Sequence, residues 1–273
     1  MRKTADTEPI LSVRGLEITF KTDQGDRVFL RDASFDIRPG EVLGIVGESG
    51  SGKSITALSV MGLLPVSGRV SQGEAWFEGQ DLFALSPRQL DKIRGKRLSM
   101  IFQDALTSLN PVFTIGNQIV ESIRAHQDVS KTKARQMATD LLDRVGMADP
   151  ETVLGQYAHM LSGGMRQRAM IAMALASEPA LIIADEATSS LDVTIQAQIM
   201  HLLRELSLER DMSVLLITHD IGLIAQMADQ VAVMYAGEIV ENTDVFTLFE
   251  APGHPYTRAL LETVPSIEDD KDR

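Results

Sequence analysis

Residues Gly47-Glu48-Ser49-Gly50-Ser51-Gly52-Lys53-Ser54 fit the spacing G-x-x-x-x-G-K-[ST] with no mismatch. Glycines let such a loop take backbone angles that a side chain forbids, so successive N–H groups can turn inward on a phosphate. In that arrangement Lys53 reaches the β- and γ-phosphates and the Ser54 hydroxyl holds Mg²⁺. The flanks agree with this reading. Val42-Leu43-Gly44-Ile45-Val46 is a short apolar run suited to a buried strand. Ile55-Thr56-Ala57-Leu58-Ser59-Val60-Met61 reads as a buried helix starting near Lys53, whose N-terminus adds partial positive charge at the same point. The implied ligand is a nucleoside triphosphate.

Other chemistry-bearing residues fall at the ends of apolar runs. Leu181-Ile182-Ile183-Ala184 reads as a buried strand ending in Asp185 and Glu186. Asp185 at that edge suits holding Mg²⁺ through water, and Glu186 suits orienting an attacking water. Val214-Leu215-Leu216-Ile217-Thr218 is a second such strand and ends at His219-Asp220. Open parallel sheets collect ligands at their carboxyl ends, which singles out His219 from the other histidines, His126, His159, His201 and His254, none at metal-ligand spacing. Leu161-Ser162-Gly163-Gly164 opens a helix through Arg168, Ile171, Ala172 and Leu175, with Ser162 as its cap and the glycines permitting close backbone approach. Phe20, at the end of an early strand, has two readings: a ring stacked on a nucleotide base, or a half-buried strand residue.

The elements that must hold these groups follow from periodicity. Residues 10 to 40 alternate and are rich in β formers, with a turn at Asp23-Gln24-Gly25-Asp26 and an end at Pro39-Gly40. They predict a small antiparallel sheet, to which Glu74-Ala75-Trp76-Phe77-Glu78-Gly79 adds a strand. From Ser86 to about Tyr157 the pattern turns helical and more polar. There Ser130 caps a helix with Ala134, Met137, Ala138, Leu141, Leu142 and Val145 on one face and Gly146 at its end. Met100-Ile101-Phe102-Gln103-Asp104 begins as a strand and runs into a turn at Asn110-Pro111. Residues 86–160 read as a helical insertion in a nucleotide-binding core. A helix bearing Ile195, Ile199, Leu202, Leu203 and Leu206 follows Asp185-Glu186, and Val231 to Glu241 close the sheet as a hairpin turning at Ala236-Gly237.

Composition sets the outer bounds. The chain has 273 residues, 44% apolar and 23% charged, as expected of a globular protein with ample core. No run of apolar residues is long enough to span a bilayer, and Met1 to Glu8 holds no apolar segment of a secretory signal. Zero cysteines exclude disulfides, thiolate metal sites and cysteine nucleophiles. A net charge of −12 argues against a nucleic-acid partner, which wants a basic face; part of it is the acidic tail Glu268 to Arg273.

Together these motifs resemble the ATP-binding subunit of an ABC transporter over nearly the whole chain. They occur in the family's order: Walker A at 47–54, a glutamine loop around Gln103, Leu161-Ser162-Gly163-Gly164, a Walker B strand ending Asp185-Glu186, a D-loop Ser190-Leu191-Asp192, and the switch His219. The finer resemblance is to the oligopeptide, dipeptide and nickel importer group. It is carried by Ile101-Phe102-Gln103-Asp104, Thr107 to Pro111, LSGGMRQR at 161–168, Asp192-Val193-Thr194 and the closing His254-Pro255-Tyr256-Thr257-Arg258-Ala259-Leu260-Leu261. Ala105 stands where that group usually has proline and Ser190 where it has alanine; many of its members also continue into a cysteine-bearing tail, of which this chain has none. The expectation is a shorter branch or a truncated form, with no iron–sulfur cluster.

The resemblance implies an α/β fold of the phosphate-loop NTPase class: a RecA-like core, an N-terminal antiparallel β subdomain and a helical subdomain. The cassette would cover 8–250 and a C-terminal extension 251–273. It implies ATP and Mg²⁺ as ligands, the metal held by Ser54, Gln103 and Asp185. Glu186, His219 and Gln103 would be the catalytic set, and Ser162 and Gly164 of a second subunit would complete each site in trans. That second ATP-binding subunit is identical or a paralogue. Integral-membrane permeases, and through them a substrate-binding protein, are the other partners, at the cytoplasmic face of a bacterial inner membrane. The rival readings are an ABC ATPase without a transport role, which usually carries two cassettes or a long coiled coil, and a GTPase switch, which wants an Asn-Lys-x-Asp stretch that this sequence lacks.

Overall fold

The computed structural model describes residues 7–104, 108–188 and 191–262, and the chain divides into two compact units, 1–83 with 215–273 and 84–214. Ala105, Thr107, Ser190 and the tail from 263 lie outside the described residues. The described chain begins β1 (Leu11–Thr22), β2 (Gly25–Ile37), β3 (Val42–Val46), α1 (Lys53–Val60), β4 (Gly68–Phe77) and β5 (Gln80–Asp81). It continues through α2 (Pro87–Leu90), β6 (Leu98–Ile101), α3 (Ile115–His126), α4 (Lys131–Arg144), α5 (Pro150–Leu154), α6 (Gly163–Leu175), β7 (Leu181–Asp185) and α7 (Val193–Arg210). It closes with β8 (Ser213–Thr218), α8 (Ile221–Met227), β9 (Gln230–Tyr235), β10 (Glu238–Asp244), α9 (Val245–Glu250) and α10 (Pro255–Glu262). The architecture is α/β, as the sequence predicts.

The first unit holds the expected antiparallel sheet in the order β2-β1-β4-β5, with β1 pairing antiparallel to both β2 and β4. Leu11, Val13, Leu16 and Ile18 of β1 and Phe35 and Ile37 of β2 are buried, which fixes the register, because a one-residue slip would turn these side chains to water. A second set of strands runs β10-β9-β3-β8. Here β3 is parallel to β9 and buried at every residue, the pattern of a strand covered on both faces. The hairpin of β9 and β10 turns at Ala236-Gly237 as predicted, and Arg31 N–H donates to the Gly237 carbonyl at 2.8 Å, tying β2 to that turn.

In the second unit β6 and β7 pair in parallel, Leu98 beside Leu181 through Ile101 beside Ala184. Five of its helices start on side-chain caps. Thr114, Ser130, Asp149, Ser162 and Asp192 each accept the N–H three residues on, satisfying a donor that has no partner inside the helix. On α4, Ala134, Ala138 and Leu142 are buried and Val145 follows them, while Met137 and Leu141 are half-buried at the margin of the face. Gly146, at φ 79°, ends the helix: its N–H bonds Asp143 O and the N–H of Met147 bonds Leu142 O. That paired closure needs a left-handed residue, for which glycine carries no steric penalty.

Candidate functional site

In the first unit, the loop from Gly47 to Ser54 leaves the buried end of β3 and enters α1. Gly47 has φ 153°, and a Cβ there would run into the carbonyl of Met234, so no larger residue fits. Gly52 is the cap of α1. Lys53 is 5% exposed, and its Nζ donates to the carbonyls of Gly47 at 2.7 Å and Glu48 at 2.8 Å. Ser51 N–H bonds Glu48 O, and Thr56 Oγ1 donates to Gly52 O at 3.0 Å, so the turn and the first helical turn brace each other. The Ser51 hydroxyl is buried with no hydrogen-bond partner among the described residues. A buried polar atom without a partner carries a desolvation penalty, which a phosphate oxygen placed in the loop would relieve. Glu48, Ser49 and Gly50 form the exposed rim.

His219 lies in the same unit, exposed at the carboxyl end of β8, the strand beside β3. The next residue caps α8: Asp220 accepts Leu223 N–H at 3.1 Å and donates its own N–H to Thr218 Oγ1. The histidine is therefore held between a buried strand end and a capped helix. Phe20 is half-buried and packs edge-on against Phe29, ring centroids 5.0 Å apart at 69°.

The second unit gathers the carboxylates. Asp185, the last residue of β7, is 5% exposed, and Glu186 follows it with φ 46°, a left-handed conformation unusual for a residue with a long side chain. Gln103, just past β6, donates Nε2 to Glu186 Oε2 at 2.7 Å; the parallel pairing of β6 with β7 brings their carboxyl ends together. Sequence reasoning placed both residues but not this bond. Ser162 caps α6 as expected, its Oγ accepting Met165 N–H at 3.3 Å, and Gly164 sits in the first turn of that helix.

Two further residues brace these segments and were not found from sequence. Gln167 on α6 is 1% exposed and donates to Ala187 O at 2.5 Å, pinning the loop after Glu186 to the helix that begins at Gly163. Gln118 on α3 accepts Asn110 N–H and donates to the carbonyls of Asn110 and Phe113, fixing the turn beyond Gln103. A glutamine on a helix reads as a surface residue; only the buried, inward position reveals its role. Among the described residues no cluster of histidine and carboxylate side chains has the makings of a metal site by itself, and no helix is long and apolar enough to cross a membrane.

Comparison with known proteins points to one family. The chain is 50% identical to the oligopeptide transport ATP-binding protein OppD of Bacillus subtilis over 260 residues, covering 95% of this chain and 73% of that protein. It is 49% identical to the dipeptide transport ATP-binding protein DppD of Escherichia coli, over 97% of this chain and 81% of the relative. Among solved structures, a dimeric ATP-binding cassette in a post-hydrolysis state with ADP and Pi superposes with a TM-score of 0.79 at 26% identity, over 86% of this chain and 98% of that one. The family model described as ABC transporter matches residues 30–189, more than half of the sequence, and the chain belongs to that family.

Proposed function

We propose that this ATPase energises the uptake of peptides, or of a related small solute, through separate membrane permeases at the cytoplasmic face of a bacterial inner membrane. The observation that carries this reading is near-full-length similarity, close to half the residues, to proteins named for oligopeptide and dipeptide transport. A relative named for glutathione import is 50% identical over 96% of this chain and 43% of its own length, which adds glutathione to the candidate solutes; nickel, opines and sugars stand beside it only through the resemblance of the sequence to the wider importer group.

In this reading ATP is gripped by the loop from Gly47 to Ser54, with Lys53 on the β- and γ-phosphates and the Ser51 hydroxyl gaining a partner. Phe20 is the candidate for stacking on the base. Glu186 orients the attacking water, His219 contacts the γ-phosphate, and Ser162 and Gly164 of a second subunit, at the N-terminus of α6, close the site. Ser54, Gln103 and Asp185 offer only oxygen donors, the set that Mg²⁺ accepts, and the metal would neutralise charge on the phosphates. Phosphoryl transfer asks mainly for positioning and charge neutralisation, so closure of two subunits can assemble the machinery. The second subunit is this chain or a paralogue; a substrate-binding protein would act through the permeases.

The test is recovery of partners from detergent-solubilised native membranes with a Glu186→Gln variant and ATP, read by mass spectrometry. Polytopic permeases are expected, and their identity narrows the solute. Ribosomal or DNA-bound proteins without a permease would overturn the transport role and leave a non-transport ABC ATPase.

A further inference from the structure

One peptide plane of the phosphate loop is held from both sides. The Gly47 carbonyl points to Lys53 Nζ at 2.7 Å, and the N–H on the other side of the same peptide bond, that of Glu48, donates to the Tyr256 hydroxyl at 3.1 Å. A flip of this peptide would turn the carbonyl off the lysine and put the N–H toward it. Glycine at position 47 offers little steric resistance to such a flip. The Tyr256 hydroxyl supplies what the loop lacks, an acceptor that rewards only one orientation.

Tyr256 is itself firmly placed. Its ring packs on Tyr235 of β9, centroids 4.4 Å apart, and its N–H donates to His254 Nδ1. The stretch before it hooks onto β10: the Glu241 carboxylate accepts the N–H groups of Gly253 at 2.7 Å and His254 at 3.0 Å. Arg258 Nε closes the turn on Pro252 O at 2.9 Å. Burial raises the Tyr256 hydroxyl above its ordinary value of 10.0, so it stays neutral at physiological pH.

We propose that Tyr256 is a positioning residue for the nucleotide site: held by the Glu241 hook, it fixes the Gly47–Glu48 peptide so that Lys53 is presented to the phosphates. The C-terminal segment then belongs to the ATP site although it lies 208 residues from the loop in sequence. This rests on the reading that the loop binds ATP.

The test uses the full chain. Tyr256→Phe keeps the ring on Tyr235 and removes only the acceptor. It should weaken equilibrium binding of a fluorescent ATP analogue, and raise KM for ATP, about three- to ten-fold, the worth of one neutral hydrogen bond. kcat should fall by a smaller factor, and the unfolding midpoint without nucleotide should move by no more than about 2–4 °C. Tyr256→Ala, which also loses the ring, should bind at least as weakly. If Tyr256→Phe binds like the parent while Lys53→Ala loses ATP, the inference fails and the loop reading survives. If only Tyr256→Ala weakens binding, ring packing explains the effect and the inference fails as well. Should Lys53→Ala bind ATP as tightly as the parent, the loop reading itself falls, and this inference with it.

Discussion

Glu186 shows how much of a catalytic proposal can hang on one backbone angle. Its φ of 46° costs on the order of 1–3 kcal/mol for a residue with a side chain, and that strain persists only where the surroundings impose it. Here the bond from Gln103 Nε2 to Glu186 Oε2 and the Gln167 grip on Ala187 O impose it from either side. Glutamine at 186 keeps an oxygen for Gln103 to donate to, so geometry survives and the charge is lost. The expected result for Glu186→Gln is unaltered ATP affinity, a fall in turnover of about 10²–10⁴, as for loss of a general base, and a nucleotide-bound dimer that sizing chromatography resolves. Turnover at the parent rate would remove Glu186 from its role.

At the scale of elements, the hook formed by β10 and α10 joins a pH response to the nucleotide site. Partial burial pushes the Glu241 carboxyl up, but the hydrogen bonds it accepts, those from the N–H groups of Gly253 and His254 among them, outweigh it, leaving it below its ordinary 4.5. A carboxyl depressed on folding contributes stability that is full above the unfolded value and is lost as pH falls through the folded one. The parent should therefore melt higher than Glu241→Gln at pH 7, and the gap should narrow below about pH 4.5, where the unfolded carboxyl takes up its proton. A gap constant down to acid pH would mean that the carboxylate's charge has no part in the hook. This hook also marks the limit of what was legible in sequence. The phosphate loop, the strands before it and the helix capped by Ser130 were readable because each is encoded in one short, continuous run of residues. The bonds from Glu48 to Tyr256, from Gln103 to Glu186 and from Gln167 to Ala187 join residues far apart in the chain, and no local period announces them.

For the whole molecule the governing quantity is charge. A net −12 on each copy means that two copies meeting across bound ATP, itself anionic, approach against their mutual repulsion. The surface ion pairs of the described chain, such as Arg14 with Asp36 and Arg69 with Asp26, join residues within one subunit and leave its net charge unchanged. Repulsion between exposed charges is screened over about 30 Å at 0.01 M salt and about 8 Å at 0.15 M. Added salt should therefore favour the dimer of Glu186→Gln with ATP. Sedimentation at fixed protein and ATP concentrations should show the dimer fraction rising from about 0.01 M to about 0.15 M salt, then levelling as screening saturates. A fraction that falls over the same range would mean that ion pairs between subunits dominate the contact. Opposite charges on the facing surfaces would then outweigh the overall excess and hold two identical subunits together.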